Sequence, residues 1–285
     1  MADRARFGPA GVPPTFKWTK AGLEDVPSFL HAEGLDALEY EAIYWGAKPQ
    51  MKRENAEKFG LKAKENDVWL SMHGSYFVNL CGETKIVEAS KKRLIACASG
   101  AKWMNAHVLV FHPGFYGRKP HEISLRNCVL ALKDLVSSLK SLGIDSVKLG
   151  PETTGKTAQL GSLDEIVSIC KQVDQTQLVI DWSHLHARDL GRFRTVEDFR
   201  KVVLKVEDEL GTEAVQNMHC HFTKIEFTEA GERRHHVLAE ARYGPDFRLL
   251  AQVIVEFKLK PVIICESPLL DLDAISMRNT LRSLV

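Results

Sequence analysis

The fold is decided by the stretch from Val68 to His112, which reads VWLSMHGSYFVNLCGETKIVEASKKRLIACASGAKWMNAHVLVFH. A short apolar run comes first, a long amphipathic segment follows, and a second short apolar run closes the stretch. This order is typical of a β-strand, a helix and a second, parallel strand. Both apolar runs end on a histidine, His73 in the first and His112 in the second.

The same alternation extends in both directions along the chain. Runs rich in β-branched and aliphatic residues predict eight strands, at Arg6–Ala10, Leu35–Ala42, Val68–His73, His107–His112, Ser146–Glu152, Leu178–Asp181, Val215–His221 and Pro261–Glu266. Amphipathic patterns predict eight helices, at Gly22–Ala32, Gln50–Lys64, Glu83–Met104, Glu122–Leu142, Ser162–Val173, Thr195–Leu210, Asp246–Lys258 and Asp271–Leu284. Strict alternation of this kind predicts an α/β fold, the TIM (β/α)8 barrel, as a single domain over residues 1–285.

Composition is that of an ordinary globular protein. The 285 residues carry 38 Lys and Arg against 37 Asp and Glu, and 45 % are hydrophobic. An α/β barrel routinely fills about 250 residues. We find neither a signal-peptide block nor an apolar run near the roughly 20 residues of a membrane span, so we expect a cytoplasmic protein with no membrane partner. The six cysteines are scattered singly, which indicates reduced, buried thiols.

Six of the predicted strands end in, or run directly into, a side chain that can bind a metal: His73, His112, Glu152, Asp181, His219 and Glu266. The carboxyl ends of barrel strands meet at one rim, where active sites form. Three imidazoles with three carboxylates suit zinc or manganese, and carboxylates can bridge two ions. The sequence therefore predicts a metal cluster at this rim.

Further histidines follow the same strands. His184 and His235 are candidate ligands of another ion, whereas His186 and His236 are more typical of supporting positions. His221 lies two residues beyond His219 and so shares its face of the strand. It is either a ligand or a side chain that lines the barrel mouth.

Several short motifs resemble the endonuclease IV family of abasic-site endonucleases, in the same order and at similar spacing over residues 68–268. They are His73-Gly-Ser-Tyr76, Phe111-His112-Pro-Gly114, Glu152-Thr-Thr-Gly155, Ile180-Asp181-x-x-His184, Met218-His219, Arg234-His235-His236 and Glu266-Ser-Pro268. The resemblance implies a TIM barrel with zinc ions that cleaves the DNA backbone 5′ to an abasic site by metal-activated hydroxide.

The resemblance also implies a role for each matching residue. It implies three metal positions: His73, His112 and Glu152 for the first, Asp181, His219 and Glu266 with Glu152 as a bridge for the second, and His184 with His235 for the third. Glu152 and Glu266 are then the catalytic carboxylates. The expected cofactor is Zn²⁺, as two or three ions, with Mn²⁺ as the alternative.

The chain departs from the family in three places. The family has an aspartate two residues before the histidine of the third position, where this chain has Arg233; Glu232 can substitute only if the loop shifts by one residue. The family's His-Leu-Asn-Asp segment reads His219-Cys-His-Phe, and the loop at 44–48 does not match the segment with which family members enter DNA. These differences bear on the substrate and on whether a third ion binds.

Charge placement favours a phosphate backbone as partner. The predicted rim loops are rich in Lys and Arg although the net charge is only +1, and several aromatic residues follow the same strands. We predict contacts to double-stranded DNA with abasic or damaged sites from six residues: Trp45, Lys48, Tyr76, Arg118, Arg188 and Arg234.

Two other functions remain open. A sugar isomerase or epimerase on a related barrel would hold one divalent ion with Glu152, Asp181, His219 and Glu266, but it would not need His73 and His112 as ligands. A metal-stabilised binder of damaged DNA that has lost turnover is the non-enzymatic alternative. The sequence does not indicate an oligomeric state.

Overall fold

The computed structural model describes residues 4–285, so the first three residues of the predicted domain lie outside it. Residues 4–285 contain twelve strands: β1 (Arg6–Pro9), β2 (Ala37–Glu41), β3 (Trp69–His73), β4 (Val108–Phe111), β5 (Gly114–Phe115), β6 (Lys148–Pro151), β7 (Gln159–Leu160), β8 (Val179–Asp181), β9 (His219–Phe222), β10 (Lys224–Thr228), β11 (Gly231–His236) and β12 (Val262–Cys265).

Ten α-helices accompany them in the described chain: α1 (Val26–Ala32), α2 (Arg53–Glu65), α3 (Thr84–Trp103), α4 (His121–Ser141), α5 (Leu163–Gln172), α6 (Trp182–Arg188), α7 (Val196–Leu210), α8 (Thr212–Gln216), α9 (Phe247–Glu256) and α10 (Asp271–Arg282). Two single 3₁₀ turns, Phe16–Trp18 and Leu23–Asp25, precede α1.

Eight parallel strands close into a barrel, which confirms the predicted fold. Two four-stranded sheets, in the orders β2-β3-β4-β6 and β1-β12-β9-β8, are joined by parallel bridges from Ala10 to Glu39 and from Glu152 to Val179. A Cβ atom at Gly8 would lie 1.7 Å from the carbonyl oxygen of Ala37. Only glycine therefore permits β1 to approach β2 closely enough for closure.

The apolar core lies mainly between the barrel and its ring of helices. Each of the long helices directs a buried stripe inward, as with Leu94 of α3, Leu132 of α4 and Val202 of α7. Burying one such side chain contributes about 1.5–3 kcal/mol. None of the described helices has the length and apolarity needed to cross a membrane.

The structure corrects the seventh predicted strand and adds elements on the rim. Val215 belongs to the short helix α8, and β9 begins only at His219 and continues to Phe222. A small ladder of β5 with β7, the helix α6 and the antiparallel hairpin of β10 with β11 all rise from the carboxyl ends of the barrel strands.

Candidate metal centre

Glu152 lies at the middle of the rim and is completely buried. Its Oε2 atom is 2.9 Å from His112 Nε2 and 3.4 Å from His73 Nε2. Its Oε1 atom is 3.0 Å from His221 Nδ1 and 3.3 Å from His184 Nδ1. Because Oε2 faces His73 and His112 and Oε1 faces His221, the carboxylate is placed to bridge two cations.

Asp181, His221 and Glu266 form a second group on the far side of Glu152, with one ligand atom from each within 4.8 Å of the others. His221 Nδ1 is 3.2 Å from Glu266 Oε1. Asp181 caps helix α6, because its Oδ1 atom accepts from the backbone N–H groups of Ser183 and His184. Its buried Oδ2 atom makes no hydrogen bond among the residues described and lies 3.3 Å from His184 Nδ1, where it could bind a cation.

Strand register brings His221, and not His219, to this second group. In β9, His221 pairs with Asp181 of β8, whereas His219 pairs with Val179, one pleat deeper in the barrel. His219 Nε2 lies 3.2 Å from Glu39 Oε2 instead. The ligand position predicted for His219 is therefore occupied by the histidine two residues later, because β9 begins later than the apolar pattern indicated.

A third group consists of His184, Glu232 and His235, whose ligand atoms also lie within 4.8 Å of one another. His184 Nε2 is 3.5 Å from Glu232 Oε2. In a regular strand, two residues three positions apart would point to opposite faces. The pairing of β10 with β11 skips Arg233, and this β-bulge turns Glu232 and His235 to the same side. Glu232 thus takes the place of the aspartate that the resemblance implied at position 233, because the bulge supplies the required shift of one residue.

Two glycines let the hairpin approach the rim. A Cβ atom at Gly155 would lie 2.6 Å from Glu232 Cβ, and one at Gly231, where φ is +91°, would lie 2.0 Å from the Gly155 carbonyl oxygen. That carbonyl accepts from the Glu232 backbone N–H at 3.1 Å. The hairpin is therefore held against the loop that carries Glu152.

The ring nitrogens indicate how the site would bind a cation. Three histidines donate Nδ1–H to a backbone carbonyl: His73 to Gly74 (3.0 Å), His184 to Thr153 (3.0 Å) and His235 to Glu266 (3.2 Å). A carbonyl can only accept, so Nε2 of each neutral ring carries a lone pair. The lone pairs of His73 and His184 then face the carboxylates of Glu152 and Glu232, and two acceptors so close need a proton or a metal between them. Metal-binding histidines usually have this second bond, so the residues fit metal ions.

Comparison of the sequence with known protein families identifies the family of this chain. The model of the xylose isomerase-like TIM barrel family matches residues 28–282. The chain belongs to this family.

Individual members differ in what they do. An uncharacterised protein of Methanocaldococcus jannaschii, MJ0133, is 34 % identical over 270 residues, 94 % of either chain. A probable endonuclease 4 of Aquifex aeolicus is 26 % identical over 230 residues, 78 % of this chain and 76 % of that protein. The similar proteins thus include one named as a nuclease.

Solved structures show the same barrel. Endonuclease IV from Thermus thermophilus superposes with a TM-score of 0.71 at 20 % identity, covering 98 % of this chain and 99 % of that one. A D-psicose 3-epimerase from Clostridium cellulolyticum superposes with a TM-score of 0.63 at 12 % identity, covering 93 % and 94 %. At these identities the likeness establishes the fold alone.

Burial and neighbouring charges shift the pKa values of several side chains in the site. Burial lowers the pKa of His73, but the carboxylates of Glu152 and Glu41 outweigh it and raise that pKa to about 10. Burial raises the pKa of Glu266, but the His221 imidazole outweighs it and lowers that pKa to about 2. Burial, together with the neighbouring Glu39 and Glu266 carboxylates, raises the pKa of Glu41 to about 8, although the His73 imidazole opposes this rise. The raised pKa values of His73, His184 and His221 mean that these three rings hold protons that a bound cation would replace.

The six predicted DNA contacts divide into two sets. Lys48, Arg118 and Arg234 are exposed, and the Tyr76 ring is 49 % exposed above the His112 ring, 6.0 Å between centroids. Trp45 and Arg188 are not available to a ligand in this structure.

Trp45 and Arg188 serve the protein itself. A hydrogen bond from the Trp45 backbone N–H to the Ala42 carbonyl turns the chain inward, and the Trp45 ring packs over Gly100 in the core. The Arg188 side chain is only 10 % exposed, and its guanidinium donates to the backbone carbonyls of Lys156 and Gln159.

Sequence reasoning missed two carboxylates on β2, Glu39 and Glu41. Glu39 is fully buried and Glu41 is half-buried, and alternation along a strand directs both into the barrel. The signal was the string Leu-Glu-Tyr-Glu within an otherwise apolar predicted strand, since an interior strand admits a buried acid only with a partner.

Proposed function

We propose that the protein is a metal-dependent DNA phosphodiesterase of the endonuclease IV type, which cleaves the backbone 5′ to abasic sites. The observation that carries the proposal is the set of three neighbouring donor groups around Glu152. A single-ion enzyme needs only one of them.

The donor sets suggest which metal each group takes. The first group consists of His73, His112 and Glu152. It has two imidazoles and one carboxylate, as does the third group, and such sets suit Zn²⁺. The second group has two carboxylates and one imidazole, which suits either Zn²⁺ or Mn²⁺. When bound, such ions supply an activated water and neutralise charge on the phosphodiester.

The chain's own residues would set the positions of the cations that a phosphate could contact. Glu152 fixes the first and second groups at a constant separation, since its two oxygens contact both. The hairpin of β10 with β11 brings Glu232 and His235 to the third group. A reacting phosphate would therefore have positions for cations on three sides.

Exposed aromatic residues on the same rim support a nucleic-acid partner. Tyr44 is 71 % exposed after β2, Phe77 60 % exposed after β3 and Phe115 44 % exposed within β5. Aromatic rings at a rim can stack on bases or enter a duplex, where Lys48 and Arg118 would meet phosphates. This surface favours duplex DNA with a lesion over a small neutral sugar.

A sugar epimerase remains the second candidate for one specific reason. Glu152, Asp181, His221 and Glu266 together supply two glutamates, an aspartate and a histidine to one position, which is sufficient for a single-ion epimerase. Under that function the first and third groups would bind no ion.

Cleavage of DNA and metal content, measured on one preparation, test the proposal. We expect incision 5′ to an abasic-site analogue, no incision of the undamaged duplex, and loss of activity on chelation. Glu152→Gln should abolish cleavage and lower the number of bound ions. One ion per chain, intact DNA and epimerisation of a ketohexose would establish the alternative; full activity of Glu152→Gln would refute the bridging role.

A further inference from the structure

A polar layer lies inside the barrel, directly beneath the second donor group. It consists of Glu39, Ser71, His219 and His221, all fully buried. Interior layers of such barrels are dominated by branched apolar side chains. A carboxylate that is 0 % exposed is costly unless it is hydrogen-bonded and its charge is compensated.

Three side chains contact the Glu39 carboxylate. The Ser71 hydroxyl donates to Oε2 at 2.8 Å, and His219 Nε2 lies 3.2 Å from the same oxygen. His221 Nε2 lies 3.0 Å from the other oxygen, Oε1. Since a carboxylate presents only acceptors, Glu39 stabilises a proton on the Nε2 atom of either ring.

The two ring nitrogens of His221 then have opposite roles. A carboxylate lies 3.0 Å from each ring nitrogen, Glu39 from Nε2 and Glu152 from Nδ1, and a cation at the second donor group would replace the proton on Nδ1 and leave the other proton on Nε2. Nδ1 lies 3.2 Å from Glu266 Oε1 and 3.0 Å from Glu152 Oε1, at the second donor group. A lone pair beside two carboxylates is placed to bind a cation.

We infer that Glu39 is a positioning residue, which holds the proton of His221 on Nε2 and so presents Nδ1 to the ion of the second group. His73, His184 and His235 obtain the same effect from backbone carbonyls. His221 uses an anionic partner instead, and a carboxylate makes the ring a stronger ligand than a carbonyl does. His219 and Ser71 hold the other Glu39 oxygen. The inference rests on the metal centre of the proposed function.

Metal titration of Glu39→Gln tests the inference independently of catalysis. The amide keeps the size of the side chain but loses its charge. We expect the affinity for Co²⁺ at one position to fall about 10–100-fold in competition with a chelator, with a changed Co²⁺ absorption spectrum. Asp271→Asn is the matched control: Asp271 is buried and accepts from the Thr15 hydroxyl, but no imidazole contacts it among the described residues. That variant should keep the wild-type affinity.

A second measurement on the wild-type protein avoids any loss of folding in the variant. In the zinc-loaded protein, ¹⁵N correlation spectra of the imidazoles, with His221 assigned by its absence from His221→Gln, should show a protonated Nε2 and a metal-bound Nδ1. Metal on His221 Nε2 would overturn the inference, as would unchanged Co²⁺ affinity in Glu39→Gln or a fourth ion held by Glu39 itself. Failure of the wild-type protein to bind any ion would refute the proposed function instead.

Discussion

Arg188→Ala separates a structural role from a DNA contact. The guanidinium donates to the carbonyls of Lys156 at 2.8 Å and Gln159 at 3.0 Å, and to the Tyr116 hydroxyl at 3.0 Å. A net contribution of about 1 kcal/mol for each bond gives a loss of about 3 kcal/mol in the free energy of unfolding. Urea denaturation of both proteins, each loaded with zinc, measures this loss.

The functional effect should follow from the loop that Arg188 holds. This loop leads from Glu152 through Gly155, on which the hairpin docks, so its loosening should weaken retention of the third ion and lower turnover. The salt dependence of DNA affinity should not change, because the guanidinium has no free face.

The salt slope is the decisive quantity, since each phosphate contact adds about 0.9 to the slope of log K against log salt concentration. Fluorescence anisotropy of a labelled duplex measures it. Arg118→Ala and Arg234→Ala serve as controls; both side chains are exposed, and each should lower the slope by about 0.9. If Arg188→Ala lowers the slope equally and leaves stability unchanged, the reasoning is wrong.

Two further predictions concern the hairpin and helix α6. Glu232→Gln should retain one fewer zinc ion per chain by elemental analysis, whereas Arg233→Gln should retain all of them, because the bulged Arg233 side chain is 65 % exposed; equal loss in both would contradict the bulge argument. Burial and the nearby Arg194 lower the pKa of His186 to about 4, and its Nδ1 accepts from the Phe193 N–H. The unfolded chain therefore binds a proton first as the pH falls, and stability is lost from about pH 6.5 to pH 4. Relative to His186→Gln, the wild-type protein should lose about 3 kcal/mol over that range in urea denaturation, and parallel curves would refute this.

Local pattern was sufficient to locate those site residues that directly follow an apolar run. His73, His112, Asp181 and Glu266 each lie at or just beyond the end of a strand whose run is unambiguous. The sequence therefore predicted both the closed barrel and which end of it carries the donors.

Where two strand registers fit the apolar pattern, the pairing with a neighbouring strand determines which side chain reaches the site. The string at 215–222 contains His219 and His221 on one face, and apolar periodicity does not distinguish them. The pairing of β9 with β8 does, because it sets His221 opposite Asp181. Glu232 was equally undetermined, since a bulge is a property of two paired strands and not of one.

Trp45 was predicted to be exposed because it follows the end of a strand, but its side chain is buried. A residue four positions beyond a strand end is expected in a rim loop, yet the hydrogen bond to Ala42 turns this one under the rim. The space for its ring comes from Gly100 on a distant helix, where a Cβ atom would lie 2.7 Å from it. No local pattern contains that information.

Charge inside the barrel connects these findings. Glu39 adds a fully buried carboxylate beneath a rim that already has Glu152, Asp181, Glu266 and Glu232, and the half-buried Glu41 adds a carboxyl group whose pKa of about 8 keeps it largely protonated at neutral pH. In the metal-free protein, protons on the imidazoles offset part of that charge, as the His73 pKa of about 10 indicates. Cations and protons therefore compete for the same lone pairs, and ion binding must release protons. An acidic barrel interior would thus stabilise bound cations from beneath as well as at the rim, and this role accounts for acids on β2 at positions where packing alone would favour apolar residues.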